Sequence, residues 1–229
     1  MNFDIPNDFK LPHTLITWGQ VKASLEEFFK KKIPSNIKDL SKRVAAKGWF
    51  LPFDDIDLLA IPDLAKKDDK EIENFLVEYY KNKADEIIES SKTVFPDRYK
   101  LFQSALNVHK QENYNASIPL LLAQADGVCV DMFGEKLFSK QKGKPKTANV
   151  VQKKVLDNYI LEAVVEPLLS GSALTLNPNE MKEKRKDSNY SVLNRHEIMH
   201  GADKIYGSEI NSLKAISLIN YLMSLQRHS

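Results

Sequence analysis

The residues best suited to chemistry lie in the run Asn194-Arg195-His196-Glu197-Ile198-Met199-His200-Gly201, and two chemistries share it. His196-Glu197-x-x-His200 carries two imidazoles with an acid between them. On a helix turning roughly 100° per residue the two rings lie about 40° apart around the axis, so they can share a zinc ion whose water Glu197 activates. Arg195 and His200 instead supply a metal-free pair: a permanent cation that grips phosphate with two N–H groups, and an imidazole that moves protons near neutral pH.

The zinc reading needs a third protein ligand. The extended form of the motif places Gly at position 203 and His at position 206, where this chain has Asp203 and Tyr206. Glu209 stands just beyond a glycine turn and reads as the first-turn acid of the next helix. The single cysteine, Cys129, removes every cysteine-based zinc site and any intramolecular disulfide. The expectation is no metal and no cofactor, with zinc hydrolysis kept as a third reading.

Cleaving RNA through its own 2′-hydroxyl requires a group to take that proton, a group to protonate the leaving 5′-oxygen, and a fixed cation against the charge building on phosphorus-bound oxygen. His200 fits either proton-transfer role and Arg195 fits the clamp. One histidine is not two, so this reading expects a homodimer that sets two copies of the site face to face. On a regular helix residues five apart point about 140° away from each other. Gly201 directly after His200 suggests that the helix stops there, which lets the two side chains converge. Asn194 and His196 can orient phosphate or the catalytic imidazole, and Asp126 can pair with Arg195. His13, His109 and His228 show no constellation and read as structural.

Composition limits the class. With 229 residues, 42% hydrophobic and 28% charged, the chain can bury a sizeable core in one large domain or two small ones. A net charge of +2 gives no global basic field, so contact with nucleic acid has to come from local patches. The run Lys140-Gln-Lys142-Gly-Lys144-Pro-Lys146 is one such patch, and Lys142, Lys144 and Lys146 are its candidate RNA contacts. Met1-Asn2-Phe3-Asp4 offers no basic or apolar leader, and no apolar run approaches the roughly 18 residues of a span, so a cytoplasmic protein without membrane contact is expected.

Eight glycines and few dense Val/Ile/Thr runs argue against a sheet. Apolar residues recur at helical spacing, and the chain reads as all-α. Thr17 and Gln20 predict a capped helix to about Lys32 that Pro34 closes, followed by a helix from Ser35 to Lys47. Gly48-Trp49-Phe50-Leu51-Pro52-Phe53 reads as a packed connector, and Asp54 to Leu64 as a short, Pro-interrupted helix. Helices follow over Asp68 to Thr93, Pro96 to Glu112, Ser117 to Phe138, Thr147 to Leu169, Ser191 to Gly201 and Ser208 to Arg227. Asn177 to Asp187 reads as a charged loop. The Ser117 to Phe138 helix is apolar on most of its circumference and is expected at the centre of a bundle.

The run Ser191-Val-Leu-Asn-Arg195-His196-Glu-Ile-Met-His200-Gly201, with the Tyr206-Gly207 turn and the helix carrying Leu213, Ile216, Leu218 and Leu222, resembles the C-terminal half of a HEPN domain. Arg195 and His200 match that family's Rx4-6H motif in its shortest form. The helix with Gln124 and Asp126 resembles the acid-bearing helix that packs beside the motif. The whole chain, with Gly48-Trp49-Phe50-Leu51-Pro52-Phe53, is also similar to a widespread bacterial group, a likeness that implies no particular activity. The HEPN resemblance implies a HEPN-like antiparallel helical bundle over 94–229, preceded by an N-terminal helical region over 1–93. It implies a metal-independent endoribonuclease acting on RNA as a homodimer, in a toxin-like or phage-defence setting with an antitoxin or other regulatory partner. A non-catalytic HEPN module that binds nucleotide or RNA is the alternative.

Overall fold

Ile72, Leu76, Tyr80, Ala84, Ile87 and Ile88 recur along one stripe of a helix, α4, that runs over Asp69–Val94 and buries that stripe. Its start is set locally: Asp68 accepts from the Glu71 backbone at 2.8 Å while the Glu71 carboxylate accepts from the Asp68 backbone at 3.1 Å. The computed structural model describes residues 18–154, 158–184 and 193–228, and it is all-α. Thr17 lies outside the described residues.

The first elements correct one expectation. Pro34 does not close a helix. Helix α1 (Trp18–Glu27) passes through a turn of π-helix at Phe28–Lys32 directly into α2 (Ile33–Ala45). The Ile33 N–H reaches back to the Phe28 carbonyl, and this wider turn opens the backbone just where the proline ring would otherwise meet the preceding turn. The connector after α2 is packed as predicted: Trp49, Phe50 and Leu51 are all buried. A 3₁₀ turn and the short α3 (Ile61–Lys66) follow it.

Helix α5 (Tyr99–Lys110) and α6 (Tyr114–Phe133) form an antiparallel pair, and α12 (Glu209–Arg227) packs against α6 and α4. The central position belongs to α12. Every residue from Ser212 to Leu225 is buried, whereas α6 buries seven of its 20 residues. Polar residues sit comfortably there because they find partners. Ser217 donates to the Lys214 carbonyl and accepts from Phe50 N–H, Ser212 meets Ser117 and His109, and Ser224 donates to Asp54. Helix α6 is long and apolar enough to cross a membrane by length and composition. Ile118, Leu121, Leu122, Ala125 and Val128 are nonetheless buried in the bundle, the pattern of a core helix.

Between α6 and α12 the chain is more broken than its periodicity suggests. A hairpin of β1 (Lys140–Gln141) and β2 (Lys144–Pro145) leads to α7 (Thr147–Lys154), α8 (Tyr159–Val164) and α9 (Glu166–Ser170). The single helix predicted from Thr147 to Leu169 is thus interrupted, and the Asn158 side chain caps the Leu161 N–H to restart it. The predicted charged loop contains α10 (Pro178–Lys184), opened by Asn177 as N-cap and proline at its first position. The motif helix α11 spans Arg195–Met199. Helix α2 packs on α8 and α9, and one apolar core runs from Phe28 to Leu225, so residues before and after position 93 share it.

The buried hydroxyls of this core make an expectation about alkaline stability. Burial holds Tyr80 and Tyr221 protonated well above the ordinary tyrosine value of 10.0. An unfolded chain releases those protons near that value while the folded chain keeps them, so stability falls as pH rises past it. Lys214, whose ammonium burial disfavours, acts in the opposite sense just below its ordinary value of 10.5. Urea midpoints are expected to drop on crossing the ordinary tyrosine range, with a shallower drop in Tyr221→Phe. Identical slopes in parent and variant would refute this.

Candidate functional site

Helix α11 is defined at both ends by its own sequence. Asn194 is fully buried, and its side-chain oxygen caps the Glu197 N–H at 3.1 Å. Its amide donates to the carbonyls of Ala173 at 3.1 Å and Leu176 at 2.9 Å. Asn194 is therefore the peg that fixes α11 to the 173–176 turn, with no donor left for phosphate. At the other end Gly201 has φ +71°, its N–H meets the Ile198 carbonyl, and the Ala202 N–H reaches the Glu197 carbonyl. The helix stops at His200, in line with that glycine. Asn194→Ala is expected to cost about 2 kcal/mol, since a cap and two buried carbonyl partners are lost together. A thermal melt unchanged from the parent would contradict that.

The five-residue helix and its C-cap present three candidate side chains. Arg195 and His196 are half-buried and His200 is exposed. The rings of His196 and His200 meet at 4.4 Å between centroids, inclined by 52°. Arg195 lays its guanidinium over the Phe138 ring at 5.5 Å, and its enclosed Nε has no hydrogen-bond partner among the described residues. Among the described residues no carboxylate lies within ion-pair reach of it. Glu197 is buried, unlike the two histidines that flank it.

Asp126 does not meet Arg195 directly, which corrects the pairing expected from sequence. It accepts from the Phe138 N–H at 3.3 Å, and Phe138 in turn backs the guanidinium. Asp126 and Arg195 thus meet the same residue at different places, its backbone and its ring. Arg195, His196, Phe138, Lys140, Thr175 and Leu176 line a cleft of about 160 Å³. His200 stands beside that cleft, joined to it through the His196 ring.

The basic run turns back on itself. Lys142 and Gly143, at φ +51° and +78°, form the two-residue turn of the hairpin, the left-handed pair that a tight β-turn of this type requires. Lys142, Lys144 and Lys146 are exposed and are not among the residues that line the Arg195 cleft. Lys140, at the base of the hairpin, does line it, held by Glu180 at 2.6 Å. Phe138 and Thr175 are cleft residues that the sequence does not point to, and Lys140 belongs to the basic run but is not among its expected RNA contacts. The Asn177-Pro178-x-Glu180 helix start places the acid that holds Lys140.

Two of the remaining histidines have polar partners: His109 meets the Ser212 hydroxyl at 2.8 Å and His228 meets Asp54 at 3.1 Å, while His13, Tyr190 and Ser191 lie outside the described residues. Among the described residues no third His, Cys, Asp or Glu joins His196 and His200 in a metal-binding group.

Comparison with known protein families, curated proteins and solved structures finds no significant match. Function has to be read from the cleft itself.

Proposed function

We propose that the chain is a metal-independent endoribonuclease of HEPN type, with Arg195 as the phosphate clamp and His200 as the proton-transfer group. The observation that carries this reading is an arginine without an acidic partner among the described residues, set in a small cleft beside His196, whose ring touches that of His200. A guanidinium left without a carboxylate is a ready site for a phosphodiester, and the Phe138 platform limits its freedom before substrate arrives. A cleft of about 160 Å³ holds a phosphate and part of a ribose. The adjacent imidazoles supply an acid and a base from one chain, so the chemistry no longer depends on a second copy. The homodimer, the regulatory antitoxin and the toxin-like or phage-defence setting rest on the family likeness.

One observation favours the alternative, a module that grips RNA without cutting it. His200 lies beside the cleft and not in its lining. The two readings part in one experiment: incubate single-stranded RNA with the purified protein in excess chelator. Cleavage leaving 2′,3′-cyclic phosphate ends is expected, with a loss of about 10²–10³-fold in Arg195→Ala. Tight binding without cleavage would assign the binding module, and activity abolished by chelator would return the site to zinc.

A further inference from the structure

A second cavity, of about 280 Å³, adjoins the Arg195 cleft, and the two share Lys140, Thr175 and Leu176 as a common wall. Its other cations come from distant parts of the chain: Lys42 from α2 and Lys184 from α10. Across both linings Lys42, Lys140 and Arg195 stand with one carboxylate, Glu180, so formal charge among these four is 3 − 1 = +2 with neutral histidines, before Lys184 is counted. The entire chain carries only +2. Positive charge is thus concentrated where the two hollows meet, and a concave surface focuses such a field.

Two of these lysines are also held in place. Glu166, whose side chain is only 7% exposed, takes Lys42 at 3.1 Å on one oxygen and Lys38 at 3.4 Å on the other. One buried carboxylate with two ammonium groups leaves a surplus positive charge at a fixed position. Glu180 holds Lys140 in turn, anchoring it on the wall between the cavities. Neither arrangement is needed for Arg195 to meet a phosphate. Both make sense if a second anion lies alongside.

We propose that the hollow beside Lys42, Lys140 and Lys184 is a second phosphate subsite. A single-stranded RNA then lies across at least two of its own phosphates, one at Arg195 and the next against these lysines. This rests on the reading of the Arg195 cleft as a phosphodiester site, and it assigns α2 a direct part in holding substrate. The consequence is a length requirement: an oligonucleotide binds through both hollows and a mononucleotide through one.

The test uses the full chain and ligands that cannot be cut through a 2′-hydroxyl: a fluorescent 2′-O-methyl octanucleotide, with uridine 3′-monophosphate as the short probe. In Lys42→Gln/Lys184→Gln the octanucleotide is expected to bind about tenfold more weakly. The slope of log affinity against log salt should shrink by about 0.7, the value for the one single-strand phosphate that the lysines no longer neutralise. Mononucleotide binding should be unchanged. Arg195→Ala should weaken both probes, and Lys42→Arg should retain octanucleotide binding. Lys184→Gln alone, at an exposed position, keeps the test open with about half the change in slope if the double variant does not fold. Equal weakening for both probes, unchanged octanucleotide binding, or a polyglutamate peptide that competes as well as the oligonucleotide would each overturn the second subsite. Because neither probe is cleaved, octanucleotide binding that shows this lysine dependence in a protein that never cuts RNA would sink the enzyme reading alone.

Discussion

His200→Ala is expected to lower the rate of RNA cleavage by about 10²–10⁴-fold, the usual worth of a positioned acid or base. His196→Ala should cost a similar factor if its ring supplies the second proton transfer. The rings lie 4.4 Å apart, so the two substitutions should not add: once either imidazole is gone, removing the other changes little. A bell-shaped profile of kcat/KM against pH is expected for the parent, with one limb missing in each variant. Mixing His200→Ala with His196→Ala distinguishes one chain from two. No recovery is expected when both imidazoles act within one protomer. Recovered activity would place a working His196–His200 pair across an interface between two copies. Undiminished cleavage in His200→Ala would remove this residue from the mechanism altogether.

Trp49→Ala is expected to be the most damaging single change to the fold. Trp49 is 1% exposed, stacks on Tyr80 with centroids 6.0 Å apart, and donates its indole N–H to Glu73 at 2.9 Å. Its ring also lies 5.6 Å from the buried Lys214 ammonium. The substitution therefore opens a large cavity and strips one neighbour from a desolvated cation, which Glu73 at 3.6 Å must then hold unaided. Cavity formation of this kind costs about 3–5 kcal/mol. For a chain of this size that corresponds to a fall in Tm of about 10 °C, readable by circular dichroism. Trp49→Phe, which keeps most of the volume, should lose clearly less. Equal losses in the two variants would mean that the Glu73 bond, and not the packing, holds this corner together.

Local chemistry accounts for much of what is legible in the sequence. Asp68 with Glu71, and Asn194 before Arg195, are caps whose partners lie within a single turn. The first start agrees with the spacing, whereas the motif helix, expected from Ser191, begins only at Arg195, where Asn194 caps it. Gly201 is similar, since a left-handed helix end needs nothing beyond its own sequence. Pro34 misleads as a stop signal because the adjustment that admits it, a wide turn at Phe28–Lys32, depends on how the helix packs. Helix α6 looks central because apolarity is visible in a list of residues. Satisfaction of polar groups is not visible there, and it is what lets α12 occupy the middle of the bundle.

The candidate residues divide in the same way. The run from Asn194 to Gly201 carries in its order a cap, a cation, two imidazoles one turn apart and a stop, because each depends on neighbours within a few residues. Which of these meet a cleft is decided by contacts between residues far apart in the chain. Asp126 bonds the Phe138 backbone and does not make the direct pairing with Arg195 that residue type suggests, because the distance between two side chains on different helices is set by the packing between them. Lys140 lines the Arg195 cleft and Lys142, Lys144 and Lys146 do not, because the turn at Lys142-Gly143 brings only Gly143 to the neighbouring hollow and leaves the three lysine side chains exposed. Spacing along a chain specifies direction within one helix. Proximity across the bundle exists only once the core has closed.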